Sequence, residues 1–167
     1  MLYLLQLILP VVPASAKQNK CSDCMEVLLQ VHKIHKKNFE PAANRSLILC
    51  ICLILKAQEQ KEELWKEKNV KKAFTFLLNQ CINKSPKIRH AAEDEIASLM
   101  ELQQENSKKE ISQQIISFLT TLNKKYDDDS SKDITNFLSL IAKVILYVDE
   151  NCYNALFSLL LQVFCVF

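Results

Sequence analysis

Ser85-Pro86-Lys87-Ile88-Arg89-His90-Ala91-Ala92-Glu93-Asp94-Glu95-Ile96-Ala97-Ser98-Leu99-Met100 reads as a helix with its start written in. Ser85 is placed to cap with its hydroxyl, and Pro86 suits the first helical position, where a missing N–H costs nothing. Ile88, Ala91, Ala92, Ile96 and Leu99 fall on one stripe of a 3.6-residue helix. The small residues at the start of that stripe let a neighbouring helix approach closely.

Working outward, Val70 to Ile82 is a second amphipathic segment, and only Asn83, Lys84 and Ser85 separate it from the first. So short a link predicts an antiparallel helical hairpin. The rest of the chain repeats the theme. It has 167 residues, 49% of them hydrophobic and 24% charged, enough for a core of its own. It contains no glycine. Phosphate-binding loops, dinucleotide fingerprints and nucleophile elbows need backbone positions that glycine fills most readily, so those chemistries are excluded. Tight hairpin turns between strands are disfavoured for the same reason. An all-α chain is the expectation.

The net charge of +2 does not by itself imply a nucleic-acid or membrane partner. Met1 to Leu9 is almost wholly apolar and is followed by Pro10 and by Ala14-Ser15-Ala16. One reading is a signal peptide, residues 1–16, cleaved after Ala16. Against it, the segment has no Lys or Arg, and Gln6 and Pro10 interrupt the apolar run. A core helix stopped by Pro10 is the reading favoured locally. Cys21 to Lys37 is a helix expected to bury Val27, Leu28, Val31 and Ile34. Leu47 to Leu55, nine consecutive apolar residues opened by Pro41 and Ser46, is apolar on every side yet too short to span a bilayer. It is therefore expected at the centre of the core. Lys56 to Lys68 reads as a solvated helical extension anchored by Leu64 and Trp65. Lys108 to Lys125 is amphipathic through Ile111, Ile115, Phe118, Leu119 and Leu122. Tyr126 to Asp133 reads as a solvated acidic turn, and two apolar helices, Ile134–Val148 and Tyr153–Phe167, follow.

The seven cysteines are odd in number and scattered over apolar segments, which favours buried free thiols over disulfides. Cys21, Cys24, His32 and His35 share one helix, but Cys21 and His32 would lie about 16 Å apart along it. A zinc ion holds its ligands within about 2.3 Å. No metal or other cofactor is expected. His90 and Asp94, four residues apart, read as a surface contact.

Pairing the helices exposes a period. First helices begin near Cys21, Val70, Lys108 and Glu150, at intervals of about 49, 38 and 42 residues, near the spacing of HEAT-type repeats. The expected organisation is one α-solenoid segment with helix pairs at about 21–58, 70–103 and 108–148. Helices 1–9 and 150–167 stand unpaired at its ends. Neither end has the polar outer face of a terminal cap, so the chain reads as a piece of a longer superhelix, with a compact bundle as the structural alternative.

Pro86-Lys87-Ile88-Arg89-His90-Ala91-Ala92 resembles the second-helix signature of HEAT repeats. Tyr3-Leu4-Leu5-Gln6-Leu7-Ile8-Leu9 with Val12-Pro13, Trp65 in its charged linker, Phe76-Leu77-Leu78 and the run Ser85 to Ala92 resemble, in that order, the ribosomal-RNA-processing protein twelve-like family. The likeness continues more weakly from Ile111 to Phe164. Leu47 to Leu55, rich in cysteine, matches no family feature. The resemblance implies a non-catalytic nuclear or nucleolar scaffold that helps mature and export pre-ribosomal subunits. Its partners would be pre-ribosomal RNA and ribosome-assembly or nuclear-export proteins, with neither a membrane nor a small-molecule substrate. A nuclear-transport-type HEAT receptor and a secreted helical protein are the alternatives.

For a binding surface the candidates are Lys71, Lys72, Lys84, Lys87 and Arg89, expected to gather around one inter-helix turn and to meet phosphates or an acidic partner. A solvated solenoid rim explains the same residues. The HEAT resemblance offers Arg89 another role, a polar contact between repeats. No paired carboxylates, Ser/His/Asp set or Cys/His dyad falls where it would converge, so no enzyme is expected.

Overall fold

The computed structural model describes residues 1–35, 39–58, 62–124 and 130–164. Within them the chain forms ten α-helices and no strand: α1 Leu2–Ile8, α2 Ala14–Asn19, α3 Cys21–His35, α4 Pro41–Lys56, α5 Glu62–Lys66, α6 Lys68–Gln80, α7 Pro86–Leu102, α8 Glu105–Lys124, α9 Ser130–Val144 and α10 Glu150–Phe164. Short 3-10 turns, Leu9–Val11 and Ile145–Tyr147, follow α1 and α9.

The helices stack in two layers. In one, α1 packs on α4, α4 on α7, and α7 on α9; in the other, α3 packs on α6, α6 on α8, and α8 on α10. Successive helix pairs α3/α4, α6/α7 and α8/α9 thus each contribute one helix to each layer, which defines an all-α solenoid of hairpins. The short link between α6 and α7 does make them neighbours. Their broadest contacts nevertheless run sideways, from α7 to α4 and from α6 to α3, because stacking buries the flanks of each helix as well as its hairpin face.

The central position belongs to α4. Leu47, Ile48, Cys50, Ile51, Cys52, Ile54 and Leu55 are all buried, as an all-round apolar helix requires. On α7 the stripe Ile88, Ala92, Ile96 and Leu99 is buried, with Ala91 partly so. A neighbour can lie close over Ala92, and α4 is that neighbour. Trp65 on the short α5 is fully buried and meets Phe74 of α6 edge-on, with ring centroids 5.8 Å apart and planes at 87°. The charged run at 56–68 is therefore pinned by its tryptophan into the core between α6 and α8; residues 59–61 lie outside the described residues.

On α3 the expected face is right for Leu28 and wrong for Val27 and Ile34, with Val31 half-buried. Cys21, Met25 and Leu28 are buried, whereas Val27 and Ile34 are 58% and 76% exposed. Two stripes of similar apolarity compete on this helix. His32 continues the buried one at the next turn, lying edge-on to Phe39 and Phe76 with centroids 5.1 and 4.8 Å away. Of the acidic segment expected as a turn over Tyr126–Asp133, residues 126–129 fall outside the described residues, while 130–133 are helical and open α9.

Among the described residues Cys50, Cys52, Cys81 and Cys152 are buried free thiols and Cys24 is a half-buried one; Cys21 is buried, and Cys165 lies outside the described residues. Burial pushes Cys24, Cys52, Cys81 and Cys152 above the ordinary thiol value of 9.0, and Cys50 to about 11. Below pH 9 folded and unfolded chains both keep these protons, so the stabilisation is complete. Above pH 9 the unfolded chain releases protons that the folded core retains, and stability falls as pH rises. The urea midpoint is thus expected to hold steady from neutral pH to about pH 8.5 and to drop from pH 9 upward. A midpoint still flat at pH 10.5 would contradict the burial of these thiols.

Candidate functional site

The five basic candidates do not form one cluster. Lys71 and Lys72 lie in the first turns of α6, whereas Lys84, Lys87 and Arg89 surround the α6–α7 turn. About 14 Å of helix axis separates Lys71 from Gln80 at the far end of α6. Residues near in sequence were expected near in space, and the intervening helix carries the two groups to opposite edges of the solenoid.

The α6–α7 turn is built by internal hydrogen bonds. Ser85 occupies the N-cap position but its hydroxyl makes no capping bond, contrary to expectation. Instead, Asn83 Oδ1 accepts the Ser85 N–H at 3.0 Å, and the Ser85 carbonyl accepts the N–H groups of Ile88 and Arg89. Arg89 folds back, Nη1 donating to the carbonyls of Asn83 at 2.9 Å and Lys84 at 3.3 Å. Its guanidinium thus holds the turn of its own hairpin together. The link between hairpins runs through amides: Asn44 of α4 donates to Gln80 Oε1 at 2.9 Å, and Asn83 donates to the same oxygen at 3.0 Å. Asn44 and Gln80 are both buried, so this pairing offsets a desolvation cost and fixes the register of α4 against the turn.

At the other end of α6 a different basic surface stands out. Lys68, Lys71, Lys72 and Thr75 repeat at i, i+3, i+4 and i+7, one exposed face of the helix. With Lys66 of α5 they line a recess of about 480 Å³. No Asp or Glu lies within α6. Glu67 precedes it, and Glu63 pairs with Lys66 at 3.2 Å. The lysines stand over the N-terminus of α6, where backbone N–H groups without helical partners favour an anion. The i, i+3, i+4 spacing of Lys68, Lys71 and Lys72 is legible in the sequence, but the grouping of Lys71 and Lys72 with the turn obscures it.

The acidic stretch Glu93-Asp94-Glu95 of α7 is used inside the stack. Lys143 of α9 reaches Glu93 at 3.0 Å and Asp94 at 2.7 Å, and Lys56 of α4 reaches Glu95 at 2.8 Å. Glu93 has a side chain only 1% exposed and also accepts from Ser139 at 3.1 Å. The His90 ring nitrogen lies 3.2 Å from the same carboxylate, so the partner of His90 is Glu93, three residues on, rather than Asp94. Ionic rungs thus tie α7 to both neighbours in its layer. Burial alone would lower the Lys143 ammonium, but its bonds to Asp94 and Glu93 outweigh this and raise it above 10.5. No group of three or more His, Cys, Asp or Glu able to hold a metal occurs among the described residues. Among those residues no helix is long and apolar enough to cross a membrane.

Paired helices stacked in two layers, with a proline-opened second helix in the α6/α7 pair, define a HEAT-type α-solenoid. No curated protein matches the chain. A family model does: RRP12-like, N-terminal HEAT repeats, matching residues 1–145, and the chain belongs to that family. At family level this makes it a HEAT-repeat scaffold of the ribosome-biogenesis type. The match includes residues 1–9; α1 packs on α4 and Leu9 just after it is buried, but no residue of Leu2–Ile8 is, so the segment lies on the flank of the stack and not in the core as expected.

Proposed function

We propose that this chain is a non-catalytic scaffold acting in pre-ribosomal RNA processing and subunit export, in the nucleus and nucleolus, where it holds RNA and assembly or export proteins. Family membership supports the setting. The observation that carries the RNA contact is the lysine-lined recess at the start of α6. Flexible ammonium groups over a helix N-terminus suit a phosphate backbone without selecting bases. Lys84 and Lys87 at the opposite edge form a second, smaller basic contact, while Arg89 serves the turn. The carboxylates of α7 are committed to ion pairs between helices, which supports a structural rather than an acid–base role.

Fluorescence anisotropy with a labelled single-stranded RNA tests the assignment. Reversing Lys68, Lys71 and Lys72 together to Glu is expected to weaken binding at least tenfold and to flatten the salt dependence by about two units of slope. Lys84→Glu with Lys87→Glu should weaken it less. Equal affinity for the wild type and the triple variant at low salt would overturn the assignment.

A further inference from the structure

The lysine-lined recess is shared by two helices. Lys68, Lys71, Lys72 and Thr75 belong to α6, but Lys66 comes from α5. A helix of five residues does not hold itself in water, so something outside α5 must set where Lys66 stands. Two features do so. The first is the elbow at Glu67, an extended residue with φ −67° and ψ 139°. Its N–H donates to the Leu64 carbonyl at 3.1 Å, and its carbonyl accepts the Lys71 N–H at 2.9 Å, so the elbow is tied to both helices. The second is Trp65, fully buried and edge-on to Phe74. Phe74 faces inward from the turn of α6 whose outward residues are Lys71, Lys72 and Thr75. The indole thus packs beneath the floor of the recess, while the next residue along the chain reaches its rim. The Lys66 side chain is 43% exposed and pairs with Glu63 at 3.2 Å, an exposed ion pair weak enough for a phosphate to displace.

We propose that α5 is part of the anion site: Lys66 is a further phosphate-binding residue, and Trp65 is the positioning residue that holds it beside the α6 lysines. This rests on the RNA contact assigned above to Lys68, Lys71 and Lys72. Lysine meets phosphate as a point charge on a flexible stem, without the fork of arginine, so its contribution depends on where the stem is anchored. With α5 seated, four ammonium groups on two helices face one recess; with α5 loose, three remain in place. Binding and seating are linked in both directions. RNA that bridges Lys66 to α6 favours the seated α5, and a seated α5 strengthens the bridge.

Two readouts on the full chain test this. Trp65 is the only tryptophan, so its emission reports the seating of α5. Titrating the wild type with the single-stranded RNA is expected to change that emission along the same saturation curve as the anisotropy. Lys66→Met should weaken binding about threefold and lower the salt slope by about 0.7, the share of one phosphate contact on a single strand. In a Trp65→Ala chain, whose α6 lysines are intact, adding Lys66→Met should cost less than about 1.5-fold, because Lys66 is no longer held in place. If Trp65→Ala loses its helical circular dichroism, Trp65→Leu takes its place with the same expectation. An equal cost of Lys66→Met in both backgrounds would overturn the positioning role of Trp65. Full affinity of Lys66→Met, or emission unmoved at saturation, would overturn the place of α5 in the site. In either case, loss of binding in the triple Lys68, Lys71 and Lys72 variant leaves the α6 contact standing. Binding that survives in that triple variant would overturn the α6 contact and this extension of it together.

Discussion

Replacing Trp65 with Ala is expected to destabilise the fold by about 4 kcal/mol, the largest effect of any single substitution considered. The indole is fully buried and seats a five-residue helix that has no length to sustain itself. Its edge-on contact with Phe74 and its position between α6 and α8 make it the wedge of the charged segment. Removing it leaves a cavity at the meeting point of two hairpins, which rigid neighbours fill only in part. Urea unfolding followed by helical circular dichroism measures the change. Trp65→Phe keeps most of the volume and should lose less than half as much. A loss below about 1 kcal/mol for Trp65→Ala would mean that α5 is not seated in the core.

The second large effect is expected at the rung between α7 and α9. Lys143→Met leaves Glu93 buried with only Ser139 and the His90 ring beside it, and the anticipated loss is about 2 kcal/mol. The figure stands below the usual cost of breaking a buried pair because the Lys143 side chain is 33% exposed and water compensates part of the loss. Adding Glu93→Gln removes the stranded charge and should recover at least half of it. Lys20→Met, which breaks a pair whose two side chains are 71% and 73% exposed, should change stability by no more than about 0.5 kcal/mol. If Lys143→Met behaves like Lys20→Met, the rung contributes nothing to stacking.

Much of this architecture was legible before any coordinates. The proline-opened helix at Pro86 and the apolar helix at Leu47–Leu55 follow from periodicity and breakers, which are local signals. What failed were statements about which side faces what. On α3, Val27 and Ile34 look as burial-prone as Cys21 and Met25; only the approach of α6 on one flank decides between them. His90 and Asp94 read as a pair in the sequence, yet Glu93, three residues before Ile96 and seven before Met100 on their flank, faces the stack and takes the His90 ring instead. Lys71 and Lys72 are close in sequence to Lys84, Lys87 and Arg89, yet the helix running from them to Gln80 carries the two groups to opposite edges. Ser85 has the right chemistry for a cap, but Asn83 two residues earlier engages its N–H first.

The layered stacking also governs how the chain reaches this state. Its principal contacts join helices that are neighbours in sequence or lie within a few elements of one another, and none joins the first helices to the last. Little chain entropy must be surrendered before any one contact forms, so collapse can nucleate at whichever hairpin orders first and spread in both directions. A chain emerging from its own synthesis need not wait for the far end: α3, α4, α6 and α7 can close around Ile51 and Ala92 while α9 and α10 are still being added.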